Sequence, residues 1–197
     1  MEHIPSHGGQ YMIDLLRKRR SIRKYAGRPV DKKSLGLLIE ALLRAPSSRN
    51  SKPWEFIIID EPELLSQLSE AKEHGSQFLR GAALGIVVCA DSTKSDVWVE
   101  DCSIASILVQ MVAQSLGLGS CWIQIRKRKH NGKKTSEQYI QTILGLPKHL
   151  KVETIMSIGH PAETKNPVAK RALEYDRVRY NHYSVQYPSG KKKQPLK

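Results

Sequence analysis

Cysteine is scarce. Cys89, Cys102 and Cys121 are the only three in 197 residues, an odd number with no C-x-x-C spacing, which excludes a disulfide framework and a paired zinc or redox site. A reducing, cytoplasmic compartment fits that usage. Aromatic residues are also few, 6% of the chain with Phe only twice. The rings that RNA and single-strand binders interleave with basic residues are therefore lacking. No stretch approaches ~18 uninterrupted apolar residues, so no bilayer-spanning helix is expected, and residues 1–10 hold no apolar core of the kind a signal peptide needs. The seven histidines show no metal-ligand spacing such as H-E-x-x-H. Acids are the last shortage: 19 Asp and Glu against 32 Lys and Arg leave a formal charge of +13. That surplus raises nucleic acid as a partner, but half of the cations sit in three clusters, at residues 17–24, 126–134 and 191–197, each open to its own explanation.

What is present is a domain's worth of periodic pattern. A chain of this length buries roughly 70% of the surface its unfolded form exposes. Ile13 and Leu16 followed by the first basic run predict a short helix with cations in its last turn, where the macrodipole favours them. Asp31 precedes Leu35, Leu38, Ile39, Leu42 and Leu43 at helical spacing, and Ala45-Pro46 ends that helix. Strands are expected over 54–59, 84–90, 120–125 and 152–158, with a helix opening near Pro62. The longest periodic segment, 97–116, is apolar on most sides and predicts a central buried helix, stopped by Gly117 and Gly119. Thr135 and Gln138 have capping-box spacing, and Gly145 with Pro147 closes the helix they open. From Ala162 onward the chain is charged and weakly apolar and is expected to be an extended arm. Helices and strands interleave without strict βαβ rhythm, so the fold class is α+β, in three layers. We expect residues 1–10 to be a flexible amino-terminal segment, 11–180 a single domain and 181–197 a basic carboxy-terminal tail.

Two segments carry chemistry. In Arg17-Lys18-Arg19-Arg20-Ser21-Ile22-Arg23-Lys24, guanidiniums flank a hydroxyl within a short turn, a set that can hold a phosphate dianion through charge-assisted bonds; taken alone, such a run is more often a solvated helix end. In Ala45-Pro46-Ser47-Ser48-Arg49-Asn50-Ser51-Lys52-Pro53-Trp54, amides and hydroxyls crowd a loop between a helix and a buried strand. They can hydrogen-bond a flat heterocycle, although an ordinary turn-rich connection has the same composition.

Together these segments resemble the nitroreductase family, whose signature is R-R-S-x-R-x-[FY] followed by [AS]-P-S-x-x-N-x-Q-P-W. They stand here at residues 19–25 and 45–54. Leu116-Gly117-Leu118-Gly119-Ser120-Cys121-Trp122-Ile123 and Ile158-Gly159-His160-Pro161 resemble later family strands, so the likeness covers residues 11–180. It implies a central, mostly antiparallel sheet flanked by helices, an intertwined homodimer with FMN at the subunit interface, and NADH or NADPH as donor. Residue by residue, it implies that Arg19, Arg20, Ser21 and Arg23 hold the FMN phosphate and that Pro46, Ser47, Ser48 and Asn50 reach the flavin from the partner subunit. Backbone at Trp122, Ile123 and Gln124 would lie by the reactive ring nitrogen, and Lys170 and Arg171 would complete the phosphate site. Lys52 stands where the family often has Gln, and Gln124 where a small residue is common.

The implied reaction transfers a hydride from NAD(P)H to an electrophilic acceptor such as a nitroaromatic or quinone, in ping-pong fashion, with no obligatory catalytic side chain. Reductive dehalogenation on the same fold is an alternative, and a basic nucleic-acid-binding protein is a rival of another class. Gly119-Ser120-Cys121-Trp122 also echoes the nucleophile segment of papain-like proteases, but it reads as a strand, with Cys121 a small buried hydrophobe.

Overall fold

The computed structural model describes residues 8–188 and divides into two compact units, one ending at Lys165 and the other beginning at Asn166. Among the described residues the first unit holds five α-helices, α1 (Gly8–Lys18), α2 (Lys32–Leu43), α3 (Pro62–Ser69), α4 (Trp98–Ser115) and α5 (Ser136–Leu144). Its four strands are β1 (Trp54–Ile59), β2 (Leu84–Asp91), β3 (Gly119–Gln124) and β4 (Leu150–Gly159). They form one sheet in the order β1-β2-β4-β3, antiparallel throughout.

Strand alternation divides the core. Ile86, Val88, Met156 and Ile158 face α2 and α4, in a cluster with Leu38, Leu42, Ala105 and Val109. Val87, Cys89, Ile123 and Ile155 face the other way, toward Leu65, Leu68 and Ile140 of α3 and α5. The expected three-layer α+β architecture is what forms.

Local chemistry sets the boundaries. The Asp31 carboxylate accepts from the Ser34 amide and caps α2, and Pro62 occupies the first turn of α3. Thr135 and Gln138 complete a reciprocal capping box at α5, which Gly145 ends in the left-handed region at φ 64°. Gly117, at φ 73°, terminates α4. Gly119 is not part of that stop; it is the first residue of β3, and the space its missing side chain leaves is taken by Ile22, whose Cβ would stand 2.8 Å from an added methyl. A second irregularity lies in β4: Val88 pairs with Thr154 and Cys89 with Val152, so Glu153 is left over as a bulge.

Helix α4 is buried along Cys102, Ala105, Val109 and Ala113, yet Ile104, Ile107 and Leu108 stay exposed, Ile107 by 41%. α1 and α2 pack on this helix and expose Tyr11, Met12, Leu16, Leu37 and Leu43. Among the described residues no helix is long and apolar enough to cross a membrane.

The second unit has two single helical turns, Lys170–Ala172 and Tyr175–Arg177, and a hairpin of β5 (Arg179–Tyr180) and β6 (His182–Gln186) that turns at Asn181, φ 61°. The hairpin lies in the stretch read as arm and tail. Tail residues 189–197 fall outside the described residues, as do residues 1–7 of the amino-terminal segment, whereas Gly8–Gln10 already belong to α1.

Gly119→Ala should destabilise the protein by about 1–3 kcal/mol, because the methyl meets the branched Cβ of Ile22 rather than a flexible side-chain end. A urea midpoint equal to the parent's would show that Ile22 can move aside.

Candidate functional site

The arginine turn is laid across the sheet's end. Ser21 bridges Ser120 in parallel and the Ile22 amide donates to the Ser120 carbonyl at 3.0 Å. Beyond it, Tyr25 bridges Pro161, and the Ala26 amide donates to the His160 carbonyl. The Tyr25 hydroxyl reaches the Ile22 carbonyl and Ser157 Oγ, both at 2.7 Å. Burial raises its pKa well above the usual tyrosine range, against the pull of Ser157, so the phenol stays a neutral tether.

Around the start of β3 three cations gather. Burial pushes the Cys121 thiol up, while the Arg23 charge, the Ser21 hydroxyl and the charges of Lys165 and Arg19 pull it down, so all four act on one buried sulfur. Arg19 Nη1 lies 3.5 Å from Gln110 Oε1 of α4, and the Arg23 guanidinium sits 5.6 Å from the Phe78 ring centroid. Arg20 also has a partner. Lys165 Nζ donates to the Ser21 carbonyl at 2.7 Å. Glu163 balances part of this charge, 3.3 Å from Lys165 Nζ, and accepts from the Arg23 and Lys24 amides; the Arg23 amide is the main cause that holds its pKa below the usual carboxylate range. Lys165 was not foreseen, because one lysine in a charged arm carries no local signal. Lys170 and Arg171 lie on the first helical turn of the second unit, and Arg171 has a partner of its own.

The loop after α2 is anchored elsewhere. The Ser48 amide donates to Asp101 Oδ1 at 2.9 Å, and the other oxygen of this buried carboxylate accepts from Ser95 Oγ. Ser47 Oγ accepts from the Lys52 amide at 2.9 Å. Arg49, Asn50 and Lys52 all adopt positive φ, 52°, 54° and 45°. Such backbone costs on the order of 1–3 kcal/mol per residue and concentrates at ligand clamps. Pro46 and Asn50 are exposed, and Ser51 Oγ is buried without a partner.

Gln110 and Asp101 are nine residues apart on α4. At 3.6 residues and 5.4 Å per turn that is two and a half turns, about 14 Å along the axis and on opposite faces of the helix. One chain therefore holds the arginine turn and the serine-rich loop on opposite sides of the same helix.

β3 is an edge strand. The Ser120 carbonyl points away from β4 to receive Ile22, so by the period of two the backbone groups of Trp122 and Gln124 point outward as well. Ile123, buried, turns its backbone to β4, and its carbonyl also accepts from Thr154 Oγ1. Of the three residues expected near the reactive ring nitrogen, Trp122 and Gln124 thus have outward-facing backbone and Ile123 does not. Gln124 is further tied: it accepts from the Trp122 indole N–H at 2.9 Å and donates to the Arg126 carbonyl and Glu153 Oε1. Burial raises the Glu153 pKa, with Gln124 and Arg126 opposing.

The donor set suits a phosphorylated, flat, amide-rich ligand: cations beside a hydroxyl, outward peptide groups on an edge strand, and a preformed loop of hydroxyls and amides. Comparison with known proteins agrees. The Nitroreductase family model matches residues 16–75 and 66–160. The structure of an FMN-dependent nitroreductase from Clostridium difficile superposes with a TM-score of 0.86 at 44% identity, covering 87% of this chain and 99% of that one. A relative in Archaeoglobus fulgidus, whose name joins NADH dehydrogenase and NAD(P)H nitroreductase, is 35% identical over 158 residues, 78% of this chain and 87% of that protein. The FMN reductase [NAD(P)H] of Bacillus subtilis is 29% identical over 173 residues, 77% of this chain and 66% of that protein. With its arginine turn, its strained loop and its edge strand all on residues that the family model spans, this chain belongs to the nitroreductase family.

Proposed function

We propose that this NAD(P)H-dependent FMN oxidoreductase works as a homodimer whose two flavin sites are each built from both subunits, with residues 11–180 as the flavin-binding domain. The observation that carries the reading is the placement of the two signature segments on opposite faces of α4, where one chain cannot close both around a single ligand. A second copy, docked through the exposed apolar residues of α1, α2 and α4, would bring its loop to the first copy's arginine turn and cover that surface.

Within that frame Arg19, Ser21 and Arg23 would hold the FMN phosphate, with Arg20 adding charge and Lys165 joining them beside Ser21; Lys170 and Arg171 are the further basic candidates. Pro46, Ser47, Ser48 and Asn50 of the partner subunit would contact the ring system and ribityl chain. Outward backbone at Trp122 and Gln124, carried by the strand through Ile123, would hydrogen-bond the ring edge. When bound, FMN supplies the redox chemistry, taking a hydride equivalent from NAD(P)H and passing two electrons to an electrophilic acceptor such as a nitroaromatic or quinone. The chain's residues bind and orient, and none is assigned a proton-transfer role.

Replacing Arg19 and Arg23 together with Ala should strip the flavin, since each charge-assisted phosphate contact contributes on the order of 1.5–3 kcal/mol. The readout is the absorption band at about 450 nm expected of bound flavin, and stoichiometric FMN in the double variant would refute the phosphate role. Ile107→Glu places a charge in the exposed stripe of α4; sedimentation should show monomers that bind FMN poorly, whereas a flavin-replete monomer would show that one chain suffices. With donor and acceptor taking turns at one flavin face, double-reciprocal plots should give parallel lines. Intersecting lines would exclude ping-pong transfer.

A further inference from the structure

The basic run after β3 builds a cleft that the signature segments do not account for. Its volume is about 550 Å³, within the roughly 300–1,000 Å³ of small-molecule sites. Five cations line it, Arg126, Lys127, Arg128, Lys129 and Lys151, together with the flat wall of Trp98. Its one lining carboxylate, Glu137, is engaged already: Oε1 lies 3.7 Å from Lys151 Nζ and Oε2 accepts from the Val152 amide. Arg126 stacks 5.7 Å from the Trp98 ring centroid and makes a long pair with Glu153 at 3.9 Å. Among the described residues no carboxylate pairs with Lys127, Arg128 or Lys129. Nearby, burial and then the Arg128 charge lower the pKa of the Lys72 ammonium.

This cluster is held in shape. Lys127 adopts φ 57°, the Arg128 amide donates to the Ile125 carbonyl, and the Ser136 amide donates to the Arg128 carbonyl. Lys129 bridges Thr135. A solvated loop has no need of such fixing. At the start of α5 the capping box takes the Thr135 and Gln138 amides, and the Arg128 carbonyl takes that of Ser136. The cleft also opens directly beyond Gln124, whose amide donates to the Arg126 carbonyl, next to the strand edge assigned to the flavin ring.

We infer that this cleft binds the adenosine end of the reducing nucleotide, with Lys127, Arg128 and Lys129 on its phosphates and Trp98 against its base, and that the unpaired cations select NADPH over NADH through the additional phosphate dianion. The inference rests on the flavin oxidoreductase reading. A planar aromatic wall beside cations carried on a fixed turn fits a base joined to phosphates, whereas a basic surface for nucleic acid requires no such turn.

The test uses the flavin-loaded protein. Adenosine 2′,5′-bisphosphate should bind in titration calorimetry and compete with NADPH. A Lys127→Asn, Arg128→Gln, Lys129→Gln variant, with Asn chosen to tolerate the left-handed backbone, should lose that binding. Its KM for NADPH should rise by roughly tenfold or more for each charge-assisted contact removed, its KM for NADH should rise less, and its flavin band should be intact. Should the triple variant fail to fold, the single Arg128→Gln variant gives the same readouts. An unchanged KM for NADPH, or a parent protein that ignores the bisphosphate, would overturn the inference, as would a single-stranded oligonucleotide that occupies the cleft in its place. A parent protein that takes up no flavin, or whose flavin band bleaches with neither nucleotide, would instead bring down the oxidoreductase reading and this inference with it.

Discussion

The site depends on how Ile22 is seated on the start of β3. Its side chain fills the space that Gly119 leaves open, and its amide binds the Ser120 carbonyl. That seat fixes residues 19–25 across the ends of β3 and β4, and Tyr25, half-buried and neutral, pins the far end through Ile22 and Ser157. Arg19, Ser21 and Arg23 then need no support from their own loop, because the sheet supplies it. A phosphate site made from flexible cations would lose side-chain and backbone entropy on binding; in the proposed site the backbone of the strip is already ordered by folding.

Helix α4 is the second organiser. Its core-facing stripe of Cys102, Ala105, Val109 and Ala113 is small enough to let the helix lie close on the sheet, and the polar residues it carries inward serve the two motifs. Asp101 holds the loop and Gln110 meets Arg19. Their half-turn offset sets the two signature segments on opposite sides of one helix, and under the proposed dimer the apolar stripe left exposed on that helix is where a second chain would join them.

Much of this was legible in the sequence. The four strands of the sheet, the capping box at Thr135, the cap at Asp31 and the proline opening α3 are local signals, and local signals survive into the structure. What was missed is tertiary. Gly119 reads as a helix stop beside Gly117, and only the fold shows that Ile22 requires it. Lys165 joins the arginine turn through a return of the chain that no spacing announces. The bulge at Glu153 arises from register, which residue types alone do not reveal, and the hairpin at residues 179–186 is built from exposed residues whose pattern lacks an apolar face. The outward turn of the Trp122 and Gln124 backbone likewise follows from which edge of β3 is paired.

The bulge also explains why the departure at Gln124 is tolerated. Glu153, displaced from the ladder, offers its carbonyl to the amides of both Ile125 and Arg126 and its carboxylate to Gln124. A small residue at position 124 would leave that buried carboxylate without its Gln124 bond, and burial alone already raises its pKa. Gln124 satisfies one oxygen and holds the Trp122 indole with the other end of its amide, while Arg126 approaches the second oxygen from 3.9 Å. The same three residues therefore connect the strand edge proposed for the flavin ring to the first cation of the basic cleft. A change at Glu153 would disturb both together, through the end of β3 from which Trp122 and Arg126 are hung.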